Sequence, residues 1–77
     1  MSDSALIAEL RRKAIESLRE STEMFEQALS LVKADDLKEA EKTQKLARKK
    51  RIDSVWLMNE ASRLEKESEH SLSAISY

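Results

Sequence analysis

The sequence contains no glycine, no proline and no cysteine among its 77 residues. Without glycine and proline, the positive-φ turns and chain breaks that β-rich and irregular folds use are largely missing. The absence of cysteine excludes disulfides, Cys-ligated zinc, iron–sulfur clusters and thiol catalysis. It also fits a cytoplasmic protein, which is the location we expect. The chain is rich instead in Ala, Leu, Glu, Lys, Arg and Ser, a mixture that favours helices.

Aromatic residues are only 4% of the chain, and neither sign of charge dominates, with 14 basic and 15 acidic residues. This balance argues against broad nucleic-acid binding, which usually goes with a strongly basic domain. No apolar run approaches the ~20 residues that span a bilayer, so we expect no membrane partner. Disorder is excluded because 40% of the residues are hydrophobic and recur with a regular period. The length allows one domain at most, covering residues 1–77.

Two helices are predicted from the periodicity of the apolar residues. Apolar residues recur at three- and four-residue steps over about 4–34, which predicts the first helix. The stretch "VKADDLKEA" is the only convincing break, because Asp36 followed by Glu39 resembles a capping box. The second helix is predicted over about 37–71. A loop as short as 34–36 makes the two helices antiparallel neighbours.

The end of the second helix and its continuity are separate predictions. The tail "SLSAISY" is predicted to be frayed over 72–77. An alternative break at "RIDSV", with Asp53 or Ser54 as a cap, would give three helices in a compact monomer. The regular spacing of small residues passes through Ser54 without a slip, which favours one uninterrupted helix.

Small side chains recur at every seventh position in both predicted helices. Where such residues meet along a seam, two helix axes can approach to the close end of the usual ~8–10 Å range. A sustained seven-residue repeat also predicts left-handed supercoiling. The predicted helix–helix seam consists of Ala14, Ser21, Ala28, Ala40, Ala47, Ser54, Ala61 and Ser68.

Larger apolar residues flank this seam, and a lone hairpin would leave many of them in water. Each one that becomes buried contributes ~1.5–3 kcal/mol. Self-association into a four-helix bundle covers them most simply, so we expect a homodimer, with a different helical protein as the alternative partner. The predicted interface residues are Leu18, Phe25, Leu29, Ile52, Val55 and Trp56. Ile52 and Trp56 are predicted to point away from the seam, on another surface. Trp56 is the strongest candidate, because tryptophan is enriched at interface hot spots.

The basic segment "KLARKKR" is a second candidate site. It could bind an anion or nucleic acid, although a solvated helix face is the simpler interpretation and no aromatic residue is interleaved to stack on bases. In the predicted hairpin it faces the part of the first helix that carries Glu20, Glu23 and Glu26. Its basic residues are Lys45, Arg48, Lys49, Lys50 and Arg51.

Catalytic and metal-binding signals are weak. The chain has one histidine and no glycine-rich loop, so only carboxylates and lysines are left for acid–base chemistry. Glu67 and His70 have the Glu-x-x-His spacing of di-iron bundles, but they sit beside the predicted frayed end. We therefore expect no enzyme activity, no cofactor, no metal site and no small-molecule substrate.

The stretch "LSLVKADDLKEAEKTQKLARKKRIDSVWLMNEAS" resembles the helical hairpin of PhoU-like phosphate-transport regulators over about 35 residues. The resemblance implies a helical hairpin and a role in regulating phosphate transport. In that family, acidic residues spaced as Glu-x-x-x-Asp bind metal ions. Asp53 matches the second acidic position, whereas Lys49 stands at the first.

The sequence therefore predicts an all-α protein, a two-helix antiparallel hairpin that forms a four-helix bundle by self-association. The expected function is that of a small non-enzymatic protein–protein interaction or regulatory module. The alternatives are an anion- or nucleic-acid-binding protein that uses residues 45–51, and a PhoU-like regulator.

Overall fold

A computed structural model describes the backbone of residues 2–76 and the side chains of residues 3–68. It contains two α-helices, α1 over Ser2–Lys33 and α2 over Leu37–Ser76, which pack against each other. No strand occurs in residues 2–76. The prediction of an all-α chain with two packed helices is confirmed. Because α2 runs unbroken through Asp53, the three-helix alternative is wrong.

The helix ends differ slightly from the predicted ones. α1 begins at Ser2 rather than residue 4 and ends at Lys33. α2 continues past residue 71 to Ser76, so its end lies five residues beyond the predicted one. The physical reason is that this segment contains no glycine or proline to end the helix. Tyr77 lies outside the described residues.

Two adjacent aspartates, Asp35 and Asp36, turn the chain between the helices. The backbone N–H of Asp36 donates to the carbonyl of Leu31 at 2.8 Å, and that of Asp35 donates to the carbonyl of Val32 at 3.0 Å. This pair of bonds closes a helix C-terminus and requires a left-handed residue, which is Asp35 at φ 63°. The carbonyl of Asp36 accepts from the N–H of Ala40 at 3.0 Å. α2 therefore begins directly after this turn, and the loop between the two helices is short.

The buried centre of the hairpin is a row of small side chains. Ala47 and Ala61 have 0% exposed surface, and Ser21 is the largest fully buried side chain. Ile7 lies seven residues before Ala14 and continues the row, although the sequence did not place it in the seam. Ser68 is half-buried. The buried row consists of Ile7, Ala14, Ser21, Ala28, Ala40, Ala47, Ser54 and Ala61.

A buried hydrogen bond sets the register of the two helices. The hydroxyl of Ser21 donates to the backbone carbonyl of Ala47 at 2.8 Å, which brings the two positions level. In antiparallel helices, a step forward along α1 matches a step backward along α2. Ala14 is therefore level with Ser54, and Ala28 is level with Ala40.

The hairpin is a thin rod. Its principal extents are 64 × 14 × 12 Å, and its radius of gyration is 17.9 Å. A compact domain of the same length would have a radius of gyration of about 11.5 Å. The rod is one helix pair thick, so every side chain outside the seam lies at or near the surface.

Replacing Ala47 by leucine tests the role of side-chain size in the seam. The added atoms have no room between two closely packed backbones, so Ala47→Leu should destabilise the protein by ~1–3 kcal/mol or more through overpacking. Urea unfolding followed by far-UV circular dichroism at fixed protein concentration measures this change.

The matched control is Ala5→Leu, which makes the same change at an exposed position of α1. This variant should stay within about 0.5 kcal/mol of the wild type. If the two variants were equally stable, the seam could not require small side chains.

Candidate functional site

The seam has two flanks, and one cross-helix ion pair marks each. Side chains one or four residues after a seam position lie on one flank, and those one before or three after lie on the other. On the first, the guanidinium of Arg11 donates to Glu65 at 2.6 Å. On the second, the ammonium of Lys50 donates to Glu20. We call these the Arg11 flank and the Lys50 flank.

The Arg11 flank of α1 carries a continuous stripe of apolar contact surface. Phe25 is half-buried and the other members are exposed. The Thr22 hydroxyl donates to the Leu18 carbonyl of its own helix at 3.1 Å, so its hydrogen-bonding need is met locally. No charged residue interrupts the stripe, which we call the α1 stripe. Its members are Ile15, Leu18, Thr22, Phe25, Leu29 and Val32.

The structure distributes the predicted interface residues over two surfaces. Leu18, Phe25 and Leu29 all belong to the α1 stripe, and Val55 lies on the same flank of α2. Ile52 and Trp56 lie on the outer side of α2, away from the seam, and the Trp56 residue is 63% exposed. The sequence singled out Trp56, but the longest uninterrupted apolar surface is on α1.

Trp56 borders two shallow grooves of different character. One groove is mainly apolar and is lined by Arg51, Ile52, Val55, Trp56 and Asn59. The other has four charged residues in its lining, which consists of Lys13, Glu16, Ser17, Glu20, Asp53, Trp56 and Leu57. The indole thus forms the boundary between an apolar surface and a charged one.

The Lys50 flank is better covered by the hairpin itself. Two of its large apolar residues, Leu6 and Leu46, lie one position before a seam residue and are exposed, but five others lie three positions after seam residues, where the two helices partly shield them. These five are all half-buried, in contrast to most of the α1 stripe. These residues are Leu10, Met24, Leu31, Leu57 and Leu64.

The five predicted anion-binding residues do not converge on one site. Lys50 crosses the hairpin to Glu20. Arg48 and Arg51 lie on the Arg11 flank, whereas Lys45 and Lys49 lie on the outer side of α2. The sequence missed this division because consecutive positions of a helix point in different directions.

Hydrogen bonds from basic side chains lower the pKa of three glutamates. The ammonium of Lys50 donates to Glu20, and this bond, with its charge, lowers the pKa of Glu20 below the ordinary value of 4.5. Glu20 differs from the other two because its partner is on the opposite helix. Within single helices, the pKa of Glu9 is lowered mainly by its hydrogen bond with Arg12, and that of Glu60 mainly by its hydrogen bond with Arg63.

Metal-binding geometry is not assembled in the described part of the chain. No group of three His, Cys, Asp or Glu residues able to hold a metal ion is found there. Glu67 accepts a hydrogen bond from Arg63 at 2.8 Å, and the His70 side chain lies outside the described residues. Within the same part of the chain, neither helix has a stretch both long and apolar enough to cross a membrane.

The cross-helix pair predicts a pH dependence of stability. Because the folded-state pKa of Glu20 is lowered, the pair's contribution is present above the ordinary value of 4.5 and is lost as pH falls through the folded-state value. Thermal unfolding should therefore move to lower temperature between pH 7 and pH 3, and Glu20→Gln should reduce this loss. Glu23→Gln, at an exposed position of the same helix, is the control. An unchanged pH profile in Glu20→Gln would contradict the role of the pair.

Comparison with known proteins adds no relative: the chain matches no protein-family model, no curated protein and no solved structure. The candidate functional surfaces are therefore the α1 stripe and the outer side of α2, with the charges beside them.

Proposed function

We propose that the chain is a small non-enzymatic interaction module that works as a homo-oligomer, in which two hairpins form a four-helix bundle. The observation that carries this proposal is the exposed α1 stripe on a hairpin whose buried centre is made almost entirely of alanine and serine. The bundle would act by presenting its outer surfaces to other proteins. No step of chemistry is part of this proposal.

The surface area of the hairpin supports association. The chain exposes 6214 Å², whereas a compact monomer of 8.8 kDa would expose about 4,800 Å². The excess is about 1,400 Å². A stable protein–protein interface removes about 800 Å² from each partner, and obligate homodimers remove more. The excess is therefore of the size that a second hairpin would cover.

The composition of the buried row also supports self-association. Alanine offers one methyl group, and burying a single carbon of this kind contributes about 0.8 kcal/mol. Of the larger apolar side chains in residues 3–68, Ile7 alone is buried. A leucine or phenylalanine of the α1 stripe contributes more when buried than an alanine of the seam does. Covering the α1 stripe would thus add a large share of the total stabilisation.

Replacing Leu29 by glutamate tests the association. Leu29 is 57% exposed in the hairpin, so Leu29→Glu disturbs little of the hairpin itself but places a charge in the proposed bundle core. Each copy loses ~1.5–3 kcal/mol of burial, so the dimer dissociation constant should rise about 100-fold or more. Light scattering at several protein concentrations gives the mass directly.

Leu46→Glu is the matched control, because Leu46 is 52% exposed but lies on the Lys50 flank, away from the α1 stripe. We expect a dimer for the wild type and for Leu46→Glu, and mass falling toward the monomer for Leu29→Glu. A wild-type chain that remains a folded monomer at all concentrations would overturn the proposal.

A second candidate function is binding of a single-stranded nucleic acid along the outer side of α2. One observation favours it: Lys45, Lys49, Ile52 and Trp56 follow each other at four- and three-residue steps, which places them in one row. Cations that track a backbone beside an aromatic ring that stacks on bases are typical of such sites. Lys45 is also within 3.6 Å of Glu41, which offsets part of its charge. The PhoU-like resemblance adds no support to either function, since Lys49 replaces the first acidic residue.

The fluorescence of Trp56, the single tryptophan of the chain, reports on this second candidate. Addition of single-stranded DNA or RNA should quench it, with affinity falling steeply as salt rises. Lys49→Gln should weaken binding, and Lys33→Gln, at the exposed end of α1 near the turn, should not. No quenching at low salt would exclude this function and leave the bundle proposal untouched.

A further inference from the structure

We infer that the two hairpins associate face to face through their Arg11 flanks, with a two-fold axis that crosses α1 midway between Thr22 and Phe25. α1 then lies antiparallel to α1 of the second copy, and α2 lies antiparallel to α2. This arrangement rests on the proposed self-association and adds which surfaces meet, in which direction and in which register.

The spacing between members of the α1 stripe is the same whether it is counted from the N-terminal or the C-terminal end. Its steps are three, four, three, four and three residues from Ile15 to Val32. A two-fold axis through the centre therefore pairs each member with another member. Leu18 meets Leu29 of the second copy, Ile15 meets Val32, and Thr22 meets Phe25. A contact of this kind is isologous, as a closed dimer requires.

Two charged residues beside the middle of the α1 stripe complement each other across the same axis, although Arg12 and Lys33, near its ends, bring two like charges together. Arg19 and Glu26 lie on the edge of the stripe that faces away from α2, each four residues after an apolar member. The axis brings Arg19 of one copy near Glu26 of the other, and symmetry repeats the pair. In the opposite, parallel arrangement, the two edges that carry Arg19 and Glu26 would lie on opposite sides of the contact, so this pair could not form. The antiparallel arrangement is therefore the one that joins these opposite charges.

The contacts that the axis would create on α2 give an independent check, because α2 was not used to place the axis. Since Ser21 is level with Ala47, the axis crosses α2 between Gln44 and Lys45. Glu41 is then level with Arg48 of the second copy, so opposite charges meet again. Leu37, which is exposed in the single hairpin, is level with Ile52 of the second copy.

The alternative face-to-face dimer places α1 against α2 of the second copy at the same level. Leu18, Thr22 and Leu29 would then face the α2 segment 39–50. On the Arg11 flank this segment presents Glu41, Gln44 and Arg48. Leucines would be buried against charged and amide groups, which costs free energy unless those groups find partners. Pairing α1 with α1 avoids this cost.

Single cysteines placed in the stripe distinguish these arrangements, because the natural chain has none. Leu18→Cys and Leu29→Cys chains, carrying different mass tags, are mixed in urea with reductant, refolded together and then oxidised. The proposed axis places position 18 of one chain beside position 29 of the other, so disulfides should join unlike chains. Neither variant alone should form disulfide-linked dimers. Leu46→Cys mixed with Leu18→Cys is the control for random collisions.

The outcomes separate this inference from the proposed function. Disulfides between like chains, with dimer mass retained, would overturn the antiparallel pairing but leave self-association standing. The same conclusion would follow if the mixed Leu18→Cys and Leu29→Cys chains formed dimers without any disulfide between them. Monomer mass for the unmodified chain would instead overturn self-association itself.

A charge exchange tests the register without cysteine. Arg19→Glu and Glu26→Arg should each weaken the dimer about 3- to 10-fold, because each creates two like-charge contacts by symmetry. The double variant should restore the dissociation constant to near the wild-type value. If the effects of the single changes simply added in the double variant, the two side chains would not face each other.

Discussion

Close contact between two helix backbones, with almost only alanine and serine between them, is the constraint on which the rest of this structure depends. The side chains in the seam are so small that the Ser21 hydroxyl reaches the carbonyl of Ala47 in the opposite helix. A seam of this kind brings many backbone atoms into contact but buries little apolar surface per residue. The seam therefore determines the geometry of the hairpin but contributes little to its stability. The remaining stabilisation has to come from the flanks.

The flanks differ in how much of that stabilisation the hairpin supplies by itself. On the Lys50 flank, Leu57 and Leu64 are already half-covered by the opposite helix. On the Arg11 flank, Leu18, Leu29 and Val32 are largely exposed. Folding and association are thus expected to be coupled, as in obligate dimers whose separate chains have little stability. The charged residues at the edges would decide the direction of the partner more than the strength of its binding.

Much of the fold could be predicted from the sequence, for identifiable reasons. With no glycine or proline, a change of direction needs a strong local signal, and Asp35 and Asp36 supply the only one between long periodic segments. The heptad spacing of small residues also coincides with the buried row, because a seven-residue period returns to the same side of a helix. Ile7 was missed since it is large. The sequence also separated Trp56 from the residues that flank the seam, but the pairing of flanks between the two helices required the cross-helix pairs at Arg11 and Lys50.

The uniform size of the seam residues has a consequence for how such a hairpin could change in length. Each seam position offers nearly the same surface as the next, so one heptad is almost interchangeable with another. Seven residues added to α1, matched by seven added to α2 at the same level, would extend the rod by about 10.5 Å and leave every existing neighbour in place. An insertion of two or five residues would instead rotate the small residues toward the outer side of their helix. The hairpin can therefore grow or shrink by whole heptads, and the Asp35–Asp36 turn keeps the two helices in step.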